Sequence, residues 1–94
     1  ILSIIYKKGI EKISMNQSKI GKFIGEIRKE KNMKQSELAE RLGVTNKTVS
    51  RWETGKYMPD LSLFTEISKI LDVTINELLQ GERLIKQKNR IETA

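Results

Sequence analysis

Two helix-forming segments lie only three residues apart, and this spacing restricts the fold more than any other feature of the chain. The segments are residues 35–42 and 46–54, and Gly43, Val44 and Thr45 join them. Gly43 stands where a left-handed residue typically ends a helix, and Thr45 is suited to cap the next one. Because so short a turn holds two helices at a steep angle, we expect the second helix to project from the domain.

Apolar residues recur along the chain at the three- and four-residue spacing of amphipathic helices. The pattern predicts five helices, at about 19–31, from 35, at 46–54, at about 61–71, and a short one from 75. No stretch alternates with period two over a useful length, so we predict an all-α domain. The residues predicted to face inward are Ile20, Phe23, Ile24, Ile27, Met33, Leu38, Ala39, Leu42, Val49, Trp52, Leu61, Phe64, Ile67, Ile70, Leu71 and Leu78.

Polar residues mark where three of these helices begin. Ser18 is a suitable cap for the first helix, and Asp60, which follows Pro59, is suited to cap the fourth. Thr74, followed three residues later by Glu77, forms a capping box that opens the fifth.

The chain of 94 residues has room for one small domain with flanking segments. The helical pattern places this domain at 17–80, after an N-terminal extension, 1–16, and before a C-terminal tail or linker, 81–94. Met15 is the first methionine and stands immediately before the helical pattern. We therefore expect the natural chain to start at Met15.

The composition argues against catalysis. The chain has no cysteine and therefore no thiolate ligand for zinc. It has no histidine, which is the commonest metal ligand and the commonest general base. We therefore predict no catalytic residues, no metal site and no cofactor. No apolar run reaches the ~18 residues that span a bilayer, so the expected location is cytoplasmic and no membrane is expected among the partners.

Positive charge is concentrated at one end of the predicted domain. The formal net charge is +6, which favours polyanionic partners. Residues 19–34 hold six bases and two acids, residues 35–56 four bases and three acids, and residues 57–80 one base and four acids. This asymmetry is expected if a single face of the domain meets phosphate.

Four polar residues share one side of the third predicted helix: Asn46, Lys47, Ser50 and Arg51. At about 100° per residue they lie on one arc, while Val49 and Trp52 point the other way. An asparagine offers the donor and acceptor that match an adenine edge, and Arg and Lys match guanine O6 and N7. A solvated helix surface explains the same pattern, so the arc alone does not decide between the two.

The sequence QSELAERLGVTNKTVSRWETGKYMPDLSLFTEISKILDVTINELL resembles the phage-repressor and Cro-like helix-turn-helix family, also called the XRE family. With the first helix, the resemblance covers about 19–79. It implies a compact five-helix, lambda-repressor-like domain that binds double-stranded DNA and regulates transcription, with repression as the expected direction. Family members commonly bind a palindromic operator as a two-fold dimer. The operator and any effector are not indicated.

The resemblance also implies roles for individual residues. The base-reading positions of the family fall on Asn46, Lys47, Ser50 and Arg51, and its phosphate contacts fall on Gln35, Thr45 and Lys56. A structural ion pair is implied between Arg28 and Glu53. Lys34 departs from the family, which usually has Thr or Ser there; we expect Glu37 to reach back to its amide, and the lysine to add a phosphate contact.

Some alternatives stay open. The same fold serves some proteins as a protein–protein interaction module. Tyr57 is suited equally to a phosphate hydrogen bond and to covering the core. We expect Leu78 in the core, whereas Leu79, Leu84 and Ile85 are candidates for self-association. Trp52, Phe23 and Phe64 are expected in the core rather than as stacking platforms.

Overall fold

The computed structural model describes residues 15–84. The expectations for the extension before Met15 and for Ile85 lie outside the described residues. The described part contains five α-helices: α1 at Gln17–Glu30, α2 at Gln35–Leu42, α3 at Asn46–Glu53, α4 at Phe64–Leu71 and α5 at Ile75–Gln80. It contains no strand, which confirms the prediction of an all-α domain. No helix in residues 15–84 is both long and apolar enough to cross a bilayer.

Helix α1 begins earlier than predicted. Its cap is Asn16, whose Oδ1 accepts a hydrogen bond from the backbone N–H of Lys19 at 3.0 Å. Ser18, the predicted cap, therefore lies within the first turn. The prediction failed because the apolar stripe becomes visible only at Ile20, and two polar residues that can cap a helix precede it.

Helix α4 begins later than predicted. Leu61–Leu63 forms a 3₁₀ turn, capped by Asp60, whose Oδ1 accepts a hydrogen bond from Ser62 N at 3.1 Å. Leu61 was predicted to face inward but is 58% exposed. A 3₁₀ turn has three residues per turn, so its side chains depart from the 3.6-residue stripe that predicts burial.

One apolar core joins all five helices. Its fully or nearly buried members are Ile20, Phe23, Ile24, Ile27, Met33, Leu38, Ala39, Val49, Trp52, Phe64, Ile67, Leu71 and Leu78. Trp52 is 3% exposed and the two phenylalanines 4%, so the three aromatic side chains predicted for the core are confirmed there. Leu42, Ile70 and Leu79 pack against this core while remaining partly exposed.

The capping box of α5 is present and does more than the sequence indicated. Glu77 N donates to Thr74 Oγ1 at 3.0 Å, and Thr74 N donates to Glu77 Oε1 at 2.8 Å. Glu77 is only 1% exposed, and its Oε2 accepts a hydrogen bond from Leu84 N at 2.8 Å. The same side chain therefore caps α5 and holds the backbone that follows it.

The axes of α1 and α3 approach closely at a glycine. A Cβ atom at Gly21 would lie 1.7 Å from the backbone oxygen of Trp52, a distance no atom can occupy. Gly21 therefore permits direct packing of the α1 backbone against the end of α3. This contact fixes how far α3 stands out from the domain.

Candidate nucleic-acid interface

Helix α3 is anchored on one side and open on the other. Val49 is fully buried, and with Trp52 it fixes the helix to the core. On the opposite side Asn46 and Lys47 are exposed. Ser50 and Arg51, also on that side, are half-buried. The four polar side chains of this arc make no hydrogen bond or ion pair with any residue in 15–84, so their polar groups are available to a ligand.

The turn before α3 is built as its residues predict. Gly43 ends α2 in the left-handed conformation, with φ of 73°, and the N–H of Val44 donates to Ala39 O at 3.0 Å. Thr45 is exposed, and its Oγ1 accepts a hydrogen bond from Thr48 N at 3.1 Å. Thr45 therefore caps α3 at the edge of the polar arc.

A buried ion pair ties the other end of α3 to α1. Arg28 Nε donates to Glu53 Oε2 at 2.6 Å, and Arg28 Nη2 donates to Glu53 Oε1 at 2.9 Å. A third donor, Arg28 Nη1, bonds to Met33 O at 2.7 Å. Only about a tenth of either charged side chain is exposed. This bidentate pair fixes the angle between α1 and α3.

The ion pair raises the pKa of the Arg28 guanidinium. The hydrogen bonds to Glu53 are the largest cause, and the charge of that carboxylate acts in the same direction. Burial acts against them, because it disfavours the charged form. Arg28 therefore stays charged throughout the ordinary pH range.

Comparison with known proteins agrees with this geometry. Residues 24–78 match the helix-turn-helix family. The ImmF control region 10 kDa protein of Bacillus phage phi105 is 32% identical over 68 residues, which cover 72% of this chain and 76% of the phage protein. The chain belongs to the XRE-type helix-turn-helix family of transcriptional regulators.

Two further relatives are much longer than the segment that they share with this helix-turn-helix protein. The HTH-type transcriptional activator BcrR of Enterococcus faecalis is 47% identical over 60 residues, which cover 64% of this chain and 29% of the activator. The uncharacterized HTH-type transcriptional regulator YqaE of Bacillus subtilis (strain 168) is 40% identical over 55 residues, 58% of this chain and 47% of that protein. The chain thus spans less than half the length of either relative. No solved structure gives a significant match.

In this helix-turn-helix protein Gln35 has a bond that its sequence did not reveal. Its side-chain Nε2 donates to Glu53 Oε1 at 2.9 Å, beside the Arg28 pair. One carboxylate therefore joins α1, the start of α2 and the end of α3. A glutamine at the first position of a predicted helix gives no sign of this partner, because the contact depends on the angle between helices.

The remaining predicted phosphate contacts are exposed. Lys34 precedes α2, and its backbone N–H donates to Glu37 Oε1 at 3.2 Å, as expected from the sequence. Lys56 follows α3 in the loop. Neither ammonium group forms an ion pair with a residue of the described chain. The two lysines therefore offer positive charge near opposite ends of the helix-turn-helix unit.

A shallow groove of about 340 Å³ adjoins the start of α2. Its lining combines bases, acids and polar groups: Lys22, Gly25, Glu26, Lys29, Gln35, Glu53 and Thr54. Because lysines and glutamates face the same space, the groove favours no particular charge of ligand.

The loop after α3 folds back onto the helix. The N–H groups of Lys56 and Tyr57 both donate to Arg51 O, at 2.9 and 3.3 Å. Tyr57 is 57% exposed, and the Arg51 Cζ lies 5.5 Å from the centre of its ring. Tyr57 therefore does not cover the core. The sequence indicated no contact between these two side chains.

Proposed function

We propose that this protein is a sequence-specific, double-stranded DNA-binding regulator of transcription that inserts α3 into the major groove. The observation that carries the proposal is the open arc of α3, where Asn46, Lys47, Ser50 and Arg51 have no polar partner within residues 15–84. The opposite side of the helix is held by Val49 and Trp52. A helix anchored in this way presents its polar side chains without rearrangement, which lowers the entropic penalty of binding.

The side-chain types of the arc suit base edges. Asn46 matches the N6 and N7 groups of adenine, and Arg51 or Lys47 matches O6 and N7 of guanine. Ser50 is able to donate to or accept from either pair. We therefore assign these four residues to base recognition.

Phosphate binding is assigned to residues that flank the arc. Lys34 and Lys56 supply positive charge, and Thr45 supplies a hydroxyl group. Gln35 lies at the start of α2, where backbone N–H groups and the helix dipole favour an anion. Since Glu53 takes one Nε2 hydrogen of Gln35, the second remains for a phosphate oxygen.

We further propose that the protein binds a palindromic operator as a two-fold dimer and represses transcription by blocking polymerase. Half-sites one helical turn apart match a symmetric pair of projecting helices. The relative BcrR is named an activator, so the direction of regulation needs a direct measurement. Transcription in vitro from a promoter that contains the selected site should fall as the protein is added.

Selection of duplexes from a random pool, followed by titration at two salt concentrations, tests the proposal. We expect one enriched sequence, palindromic if the protein binds as a dimer, and an affinity that falls steeply with salt. The control variant Lys69→Ala, in the acid-rich half of the domain, should bind as the wild type does. Failure to bind any duplex at low salt would instead favour a protein-interaction module.

A further inference from the structure

We propose that Tyr57 is a positioning residue that holds the Arg51 guanidinium against a guanine edge and so sets specificity at one base pair. The proposal rests on the DNA-binding function argued above. Its basis is the contact between the two side chains, in which Arg51 Cζ lies over the Tyr57 ring, 5.5 Å from its centre. This distance falls within the ~6 Å range of a cation–π contact.

The backbone places the tyrosine ring beside Arg51. Two successive N–H groups, of Lys56 and Tyr57, bond to the carbonyl oxygen of Arg51. Pro59 is buried and Met58 is half-buried, so the loop is also fixed on its far side. The ring and the guanidinium are therefore held together by the backbone as well as by their mutual attraction.

The contact with the ring leaves the hydrogen-bonding groups of the arginine free. Arg51 Cζ lies over the face of the tyrosine ring, and a cation–π contact uses the charge of the guanidinium without consuming its N–H donors. No acid among residues 15–84 forms an ion pair with Arg51 that would compete for these donors. An arginine held in this way loses less side-chain freedom when it meets O6 and N7 of guanine.

Another role for Tyr57 would have different consequences. If its hydroxyl group contacted phosphate, removal of that group would weaken binding to all sequences alike. If its ring positions Arg51, the hydroxyl group is dispensable and the aromatic face is required. Tyr57→Phe and Tyr57→Leu therefore separate the two roles, because both keep an apolar side chain of similar bulk.

The test uses the duplex that the wild-type protein selects from a random pool, together with variants in which each G·C pair is replaced in turn. Tyr57→Phe should discriminate among these duplexes as the wild type does. Tyr57→Leu should lose about two- to five-fold in discrimination, confined to the pair at which Arg51→Ala also loses it. The double variant Tyr57→Leu with Arg51→Ala should discriminate among the duplexes as well as Arg51→Ala alone does.

Nuclear magnetic resonance of the free protein supplies a readout independent of DNA. The ring current of Tyr57 should displace the Arg51 Nε–Hε resonance, and Tyr57→Leu should return it towards the usual arginine position while Tyr57→Phe should not. Equal loss on all duplexes for Tyr57→Phe, or unchanged discrimination for Tyr57→Leu, would overturn the positioning role. Absence of any binding by the wild type would instead reject the proposed function, whatever the resonance shows.

Discussion

The carboxylate of Glu53 is shared by donors from two other helices. It accepts two hydrogen bonds from Arg28 and one from Gln35, and it lies at the last residue of α3. A buried charge is tolerated only when it is paired and hydrogen-bonded. At the scale of single residues, the attachment of α3 therefore depends on all of these donors together.

Replacement of Arg28 tests that dependence. Arg28→Met should lower the free energy of unfolding by about 3 kcal/mol, because the buried Glu53 carboxylate loses its main partner. Urea unfolding followed by circular dichroism measures the loss. The double variant Arg28→Met with Glu53→Gln should recover part of the stability, since it removes the unpaired charge. A double variant much less stable than Arg28→Met would contradict this explanation.

The loss in the free energy of unfolding caused by Arg28→Met should not change between pH 6 and pH 9. A cation whose pKa is raised on folding contributes its full stability below its unfolded pKa and loses it only as pH rises through the folded value. The unfolded pKa of arginine already lies above this whole window, and the folded pKa of Arg28 is raised further. Unfolding measured at several pH values checks this, and a difference that shrinks across this window would oppose it.

Base readers and phosphate contacts predict different binding defects. Arg51→Ala should weaken binding to the selected duplex by about 1 to 3 kcal/mol and relax preference at one base pair. Lys56→Ala should weaken binding to all duplexes alike and reduce the dependence on salt. Titration of matched and mismatched duplexes distinguishes them. Uniform loss for Arg51→Ala would remove it from the base readers.

At the scale of helices, the contact at Gly21 controls the distance between α1 and α3. Gly21→Ala should destabilise the domain by about 2 kcal/mol or more, because the new methyl group meets the Trp52 backbone and the gain in helix propensity is only about 1 kcal/mol. Gly25→Ala should cost less, since its Cβ would lie 3.1 Å from the side chain of Glu53, and a displacement of a few tenths of an ångström against the hydrogen bonds of that carboxylate would relieve the contact. Thermal unfolding should rank the two in that order.

Two threonine caps form a matched pair. Thr45→Ala and Thr74→Ala should each lower the free energy of unfolding by about 1 kcal/mol, since each removes the acceptor for a backbone N–H at the start of a helix. Only Thr45→Ala should also weaken DNA binding, because only Thr45 is assigned a phosphate contact. If both variants, fully folded, bound the selected duplex as tightly as the wild type, that assignment would fail.

The sequence predicted most helices because their apolar stripes are regular and their ends carry strong caps. The turn at Gly43, the cap at Thr45 and the capping box at Thr74 depend on neighbouring residues alone. The prediction that Leu61 faces inward was wrong, because the same polar cap can begin either a 3₁₀ turn or an α-helix. Local patterns cannot distinguish them when the outcome depends on packing.

The contacts that the sequence did not reveal depend on how segments fold against one another. Gln35 meets Glu53 and Gly21 meets Trp52 through the arrangement of the helices, whereas Arg51 meets Tyr57 because the loop after α3 folds back. The Arg28–Glu53 pair was expected only because the chain resembles a family that has it. The roles of residues 46, 47, 50 and 51 in base reading are likewise predictions from that resemblance and from their side-chain chemistry.

At the scale of the whole molecule, salt should affect folding and binding very differently. The exposed ion pairs of the described residues include Lys19 with Glu82, at 2.7 Å and about half exposed, and Arg83 with Glu30. Such pairs contribute about 0 to 1 kcal/mol each, and screening also relieves repulsion from the net charge of +6. Stability therefore depends mainly on the apolar core.

Raising NaCl tenfold should change the free energy of unfolding by less than about 1 kcal/mol. The same change should weaken DNA binding roughly 60-fold per domain if only Lys34 and Lys56 neutralise phosphates, because each releases about 0.9 counterions. A two-fold dimer should double the slope of the logarithm of the binding constant plotted against the logarithm of the salt concentration. Urea unfolding and duplex titration at matched salt concentrations measure the two effects. Equal sensitivity of folding and binding to salt would contradict the expectation that only binding depends strongly on exposed charge.

The outward arc of α3 has a consequence for how such proteins diverge. Asn46 and Lys47 are exposed, and none of the four arc side chains forms a hydrogen bond or ion pair within residues 15–84, so exchanging them leaves the Glu53 carboxylate and the Gly21 contact intact. Under the proposed base-reading role, substitutions at a handful of codons would redirect the protein to a new DNA sequence while the scaffold is inherited unchanged.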